Sequence, residues 1–329
     1  MQTRNLVHFL GERAKSDSPF AFGCRMLRFA TIAGHISWWT EKKRLASLNG
    51  RYGGYVIRNI MGSKMRLDLT DTGVSHDLII NGIREPYITE AFRKEVTKGN
   101  TIIDIGANIG YYALQEAQLV GEWGRVYAIE PVVESMEMLK RNIKLNEYKN
   151  IKTYDMAIGN YTGKVSMNIH PLRNLSSISG ISSRTGDSRM VDITTLDKFI
   201  ENNVYPDIPD LIRMDVEGYE SEIIKGMANL LNSQLPLKLL VEIHFNILRE
   251  KSIPMLKRLK EARFKIRVAS IEPHPAVLAS VVGRPLTALL EMGMGACSGY
   301  QNITIDDLIN DKRFSSGQVE WLEVLFVRE

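Results

Sequence analysis

The chain has 329 residues, 44% of them hydrophobic and 24% charged, with a formal charge of +4. That balance suits one large domain with extensions and excludes both a disordered polyelectrolyte and a small disulfide-stapled scaffold. Its two cysteines, Cys24 and Cys297, lie too far apart in sequence to frame a disulfide network, no run of about 18 uncharged apolar residues is present, and the first residues lack the order of a secretory signal. A reducing, cytoplasmic setting is therefore expected.

Residues 1–50 read as a basic, aromatic helical extension. They carry Arg4, Arg13, Lys15, Arg25, Arg28, Lys42, Lys43 and Arg44 against Glu12, Asp17 and Glu41, a net 8 − 3 = +5. Within residues 20–44, Trp38-Trp39 followed by Lys42-Lys43-Arg44 is what an interfacial helix presents to an anionic membrane, and a lid or dimer contact uses the same residue types. Residues 51–98 lead into the core: "YVIRNI" and "KMRLDLT" alternate around Met61-Gly62-Ser63 as a β-hairpin, and 85–97 reads as a short helix.

From residue 99 to 329 the pattern is that of the main domain, with 265–329 a variable C-terminal part that ends in a final strand. Strands are predicted at 101–105, 125–130, 150–155, 210–215 and 238–243, and helices at 110–119, 132–146, 219–231 and 253–262. Strands separated by helices of that length require crossover connections, hence a mostly parallel, doubly wound α/β sheet with helices on both faces.

Each of the first four strands ends in a carboxylate: Asp104 in "TIIDIG", Glu130 in "VYAIEP", Asp155 in "IKTYDMA" and Asp215 in "LIRMDVEG". Ligands of such sheets bind outside the carboxyl ends of the strands, so these acids converge on one pocket. A dinucleotide pyrophosphate is excluded there, because carboxylates repel it and "GANIG" has Asn108 where the dinucleotide fingerprint needs its second glycine. The acids suit instead a ligand with ribose hydroxyls, an adenine amino group, an ammonium and a further positive centre, which S-adenosylmethionine combines. In this reading Gly106 lets the backbone approach the methionine part and Gly110 lets the next helix pack closely. Glu130, 26 residues after Asp104, accepts from both ribose hydroxyls. Asp155 accepts from adenine while Met156 packs on the ring, and Asp104 holds the methionine end. Asn108, Pro131, Ala157 and Asp215 complete the expected cofactor contacts.

The ordered segments "DIGANIGYY", "IEP", "TLD", "MDVEGYE" and "VEIH" resemble those of the FkbM-family methyltransferases over about residues 85–245. The resemblance implies a class I, Rossmann-like methyltransferase fold with S-adenosylmethionine as methyl donor, most often methylating oxygen on small molecules or sugars, and no family pattern is matched by residues 1–60 and 265–329. Ser176 and Ser177 match that family's serine pair and are candidates to face the substrate, as they are for an ordinary turn. His170 reads as an exposed loop residue, and Asp197 as helix-start chemistry with Thr194 or Thr195 as cap.

For catalysis the expected groups are Asp215, Glu217, Glu242 and His244, with His244 as general base oriented by Glu242, and Asp215 holding the cofactor's charged end or the acceptor hydroxyl. The same cluster could instead hold a divalent metal, but no metal is assigned, because one Asp-x-Glu and one Glu-x-His do not specify a ligand set. The acceptor is read as a small molecule, sugar or glycan, lipid-linked if the membrane reading of the N-terminus holds. A nucleic-acid methyltransferase is the alternative, made unlikely by the missing Asn/Asp-Pro-Pro-aromatic tetrapeptide and Pro-Cys nucleophile. A protein that only binds the cofactor would not need the polar groups of "MDVEGYE" and "VEIH".

Overall fold

The structure, a computed structural model, describes residues 54–71, 73–169, 176–178, 187–270, 299–300 and 303–329. The expectations for residues 1–50, for His170 and for Cys297 fall outside them. No helix among the described residues is long and apolar enough to cross a membrane.

The chain enters as an antiparallel hairpin, β1 (Tyr55–Ile60) and β2 (Ser63–Asp68), turned at Met61 and Gly62, both with positive φ. This is the backbone that matches the twist of two strands joined by two residues. Helix α1 (Val74–Asn81) had no counterpart in the sequence reading; α2 (Pro86–Glu95) is the short helix expected there, with Pro86 at a first-turn position where its missing N–H costs nothing.

The regular alternation follows: β3 (Thr101–Ile105), α3 (Tyr111–Val120), β4 (Arg125–Ile129), α4 (Val133–Leu145) and β5 (Ile151–Tyr154). Next comes a part the sequence reading did not resolve into strands, β6 (Ala157–Gly159), β7 (Gly163–Ile169), β8 (Ser177–Ile178) and β9 (Asp187–Thr195), which form a separate four-stranded sheet in the order β6-β9-β7-β8. After α5 (Leu196–Phe199), β10 (Leu211–Met214), α6 (Glu220–Lys225), α7 (Ala228–Asn232) and β11 (Leu237–Ile243) resume the alternation. The chain continues with α8 (Phe245–Leu248), α9 (Ser252–Glu261), β12 (Lys265–Ser270), β13 (Gly299–Tyr300), α10 (Ile305–Asn310), α11 (Lys312–Ser315) and β14 (Leu322–Arg328).

The main sheet has eight strands in the order β13-β12-β14-β11-β10-β3-β4-β5, parallel from β11 to β5, with β14 antiparallel beside β11. Residues alternate between its faces. Ile102, Leu211, Leu240 and Leu325 pack with α1 to α4 and the hairpin, whereas Ile103, Ile212, Leu239 and Phe326 pack with the helices from α5 onward. Strand order reverses between β3 and β10, and the crevice at that switch point is where such a sheet takes a ligand.

The expected helix 219–231 is broken into α6 and α7 at Gly226. A Cβ on Gly226 would lie 1.9 Å from the Gly159 carbonyl oxygen, so the small sheet leans on the main domain through bare backbone. Asp197 secures the break: its N–H donates to Gly226 O at 3.0 Å, and its carboxylate accepts from Asn229 N and Leu230 N at 2.8 and 3.1 Å, capping α7. Thr195, not Thr194, caps α5 by accepting from Lys198 N. No side-chain rotation relieves a clash with a carbonyl, so Gly226→Ala should destabilise the chain by about 1–3 kcal/mol, read as a lowered denaturation midpoint at unchanged m.

Candidate active site

At the end of β3 the chain must turn sharply into α3, and Gly106, Asn108 and Gly110 do so with φ of +83°, +49° and +96°. Gly106 is obligatory for a reason other than the one expected from the sequence: a Cβ there would sit 1.9 Å from Asp215 O, so what approaches it is the backbone after β10. Gly110 does permit close helix packing, since its Cβ would meet Leu139 of α4 at 2.6 Å.

Glu130, just past β4, closes the turn. Its Oε2 accepts from Asn108 N at 2.9 Å and its Oε1 from Val132 N at 2.7 Å, and the residue is 6% exposed. Burial pushes this carboxyl up to about 7 against the pull of the two N–H donors. The other strand-end acids differ. Asp155 points to solvent and pairs with Lys140 at 3.1 Å, while Met156 packs on the core and Ala157 is buried in β6. Asp104 is fully buried within β3: Oδ1 accepts from Arg213 at 3.2 Å, and Oδ2 has no hydrogen-bond partner among the described residues. Pro131 leads from Glu130 toward α4. Ser176 and Ser177 are both buried, with Ser177 opposite Asn168 in the small sheet.

On the other side of the switch point a second group of charges gathers around Arg213. Its guanidinium reaches Asp104 at 3.2 Å and Asp215 at 2.9 Å and lies 3.9 Å over the ring of Tyr112. The Tyr112 hydroxyl donates to Glu85 Oε2 at 2.8 Å, and the Tyr111 hydroxyl donates to Arg84 O at 3.0 Å. The two tyrosines of "GYY" therefore tie the Arg84-Glu85 turn to α3. Glu85 in turn lies near Glu242 and Glu323, with an oxygen from each of the three within 4.8 Å of the others.

His244 follows β11 and is 8% exposed. Its Nδ1 lies 2.7 Å from Oε1 of Glu220, a fully buried carboxylate that also accepts from Gly218 N. Its Nε2 faces Glu217 Oε2 and Glu242 Oε1, each at 3.7 Å. The carboxylate that orients the ring is thus Glu220, and not Glu242 as expected from adjacency. Burial alone would favour the neutral ring, but Glu220, Glu242 and Glu217 outweigh it and raise the imidazole well above its ordinary value. Asp215 is shifted down, burial being overcome by Arg213, His244 and Arg84, and burial with Asp215 beside it raises Glu242 well above the usual carboxylate range.

A family profile described as the methyltransferase FkbM domain matches residues 104–266. The chain thus carries an FkbM methyltransferase domain. The FkbM domain spans β3 to β12 and includes Glu130, Arg213, Asp215, Glu220, Glu242 and His244, whereas Arg84, Glu85 and Glu323 lie outside it. A protein-L-isoaspartate O-methyltransferase of Methanothrix thermoacetophila is 35% identical over 57 residues, 17% of this chain, and the match spans 27% of that relative's length. The hexuronic acid methyltransferase AglP of Haloferax volcanii is 24% identical over 187 residues, 57% of this chain and 72% of that one. Among solved structures, a methyltransferase FkbM from Methylobacillus flagellatus is 19% identical over 55% of this chain and 41% of its own, with a TM-score of 0.36. M. jannaschii TYW2 in complex with AdoMet is 15% identical over 84% and 87%, with a TM-score of 0.38.

The methyl donor of the FkbM domain is S-adenosylmethionine, and the residues of the first turn fit it. Glu130 offers a buried carboxylate whose two backbone N–H donors leave further lone pairs for the ribose hydroxyls, beside a turn with no side chain at Gly106. A hydroxyl donor favours the carboxylate over the acid, so affinity for S-adenosylhomocysteine should rise between about pH 6 and pH 8, and Glu130→Gln should abolish that rise. Glu130→Ala should weaken binding by at least about tenfold in calorimetry. For stability the sign is opposite. The folded carboxyl, at about 7, holds its proton more tightly than the unfolded one at 4.5, so its contribution is present below 4.5 and lost as pH rises to 7.

Arg213 compensates two carboxylates in a buried place. Arg213→Met keeps the bulk and removes the charge, and should cost about 3–5 kcal/mol of stability in chemical denaturation. Equal stability of parent and variant would refute the assigned role.

Proposed function

We propose that the chain transfers the methyl group of S-adenosylmethionine to a hydroxyl oxygen of a sugar or similarly polyhydroxylated acceptor. The observation that carries the reading is the position of the Asp215, Glu217, Glu242 and His244 group, on strands β10 and β11 and the turns after them, across the switch point from the Glu130 turn. Donor and acceptor sites then meet at the carboxyl ends of β3 and β10. Carboxylates and an imidazole accept and donate hydrogen bonds to several hydroxyls at once and repel a polyanion, which supports a sugar over a nucleic acid. The similarity to the hexuronic acid methyltransferase AglP supports the same class.

When bound, the donor supplies an electrophilic methyl carbon on a sulfonium. The acceptor oxygen forms the new C–O bond as the C–S bond breaks, and its proton must leave to a nearby base. We assign that base to Glu242. Burial and Asp215 give its carboxylate a higher proton affinity than an ordinary carboxylate has, and Arg213 holds Asp215 beside it. The Arg84-Glu85 turn, held by Tyr111 and Tyr112, borders the acceptor side.

With a uronic acid or other sugar acceptor and saturating donor, Glu242→Gln should lower turnover by roughly 10²–10⁴ while S-adenosylhomocysteine affinity is kept. Activity in the parent should fall on acidification, with an apparent pKa above the ordinary carboxylate value, since protonation of Glu242 removes the base. Near-parental turnover in Glu242→Gln, or methylated acceptor carrying the label on nitrogen, would sink this assignment.

A further inference from the structure

Asp215, Glu217 and His244 each direct one ligand atom to a common point, the three atoms lying within 4.8 Å of one another. Asp-x-Glu follows β10 and the histidine follows β11, and the parallel pairing of the two strands brings them together.

The histidine carries the second observation. Its side chain is nine-tenths buried and its ring is fixed from behind, Nδ1 lying 2.7 Å from Glu220, which is itself completely buried. Nε2 is left aimed at the carboxylates and makes no hydrogen bond among the described residues; its nearest carboxylate oxygens, on Glu217 and Glu242, are both 3.7 Å away. A carboxylate behind one ring nitrogen, with the other nitrogen pointing into a space between carboxylate oxygens, is the arrangement that sets tautomer and direction in metal-bound histidines.

We propose that Asp215, Glu217 and His244 bind one divalent cation, of the manganese or magnesium class, which the acceptor's hydroxyl oxygens join as further ligands. Two carboxylate oxygens and one imidazole nitrogen make a hard, oxygen-rich set, and an octahedral ion held by three protein atoms keeps open positions for oxygens from solvent or substrate. A metal-bound alcohol is more acidic than a free one, which eases loss of its proton to Glu242. This assignment rests on the acceptor side proposed above, and it selects three of the four clustered residues as the ligand set that the sequence alone does not specify.

The test uses the full chain treated with chelator and then dialysed, with Mn2+ as probe, followed by calorimetry and by loss of the free-ion paramagnetic resonance signal. S-adenosylhomocysteine binding is measured on the same samples. The expected result is one Mn2+ per chain, displaced by excess Mg2+, and weakened at least about tenfold in Glu217→Gln and in His244→Gln, with S-adenosylhomocysteine affinity unchanged. If His244→Gln does not fold, Glu217→Gln decides alone. A chain that binds S-adenosylhomocysteine but takes up no Mn2+ overturns the metal site and leaves the methyltransferase reading standing. Uptake that is the same in parent and folded variants also overturns it. A chain that binds Mn2+ as described but not S-adenosylhomocysteine supports the cation site and counts against the donor site instead.

Discussion

The site depends on one buried guanidinium. Arg213 lies in the middle of the sheet beside Asp104, and without it that fully buried carboxyl would lose its hydrogen-bonded cation, and Asp215 the nearer of its ion-pair contacts. Its position is set by backbone pairing: Arg213 stands opposite Asp104 in the β10 and β3 register, so the ion pair forms when the strands align. The face of Tyr112 closes the remaining side. From this centre charge extends outward in both directions, to Glu116 in α3 on one side and to Asp215, Glu242 and His244 on the other.

The interior therefore holds more carboxyl groups than cations. Glu116 is fully buried with neither oxygen hydrogen-bonded among the described residues, and burial together with Asp104 raises it well above the ordinary range. Such a group is kept as a neutral acid, which is how a core tolerates it. Nearer the crevice the same excess is met by partial exposure and by Arg84. The gradient from neutralised acids in the core to available ones at the strand ends is what makes the crevice receptive to cations and hydroxyls.

The strands and their acidic ends were legible because period and punctuation are local: "TIIDIG" and "VYAIEP" are apolar runs that stop at a carboxylate, and Glu130 lies at the turn as read. What was not legible depends on pairs distant in the chain. Glu220 reaches His244 Nδ1 across 24 residues, whereas adjacency favoured Glu242, which faces the other ring nitrogen at 3.7 Å. Asp155 ends its strand as expected, yet Lys140 on the neighbouring helix draws it to the surface. The small sheet escaped detection because its strands are short or half exposed, with little apolar alternation, and the break at Gly226 because only the Gly159 carbonyl explains it. Arg84 and Glu85 lie ahead of the motifs and enter the site only through the tyrosines that follow the glycine turn.

The contact between Gly106 and the Asp215 carbonyl works as a fixed gauge. Because main chain touches main chain at that point, the separation between the turn that carries Glu130's partner Asn108 and the strand end that carries Asp215 has no adjustable side chain in it. Loops elsewhere around the crevice can lengthen, shorten or change composition without altering the span over which a methyl group has to travel. A scaffold of this kind can change its acceptor by altering the walls while the reaction axis stays the same.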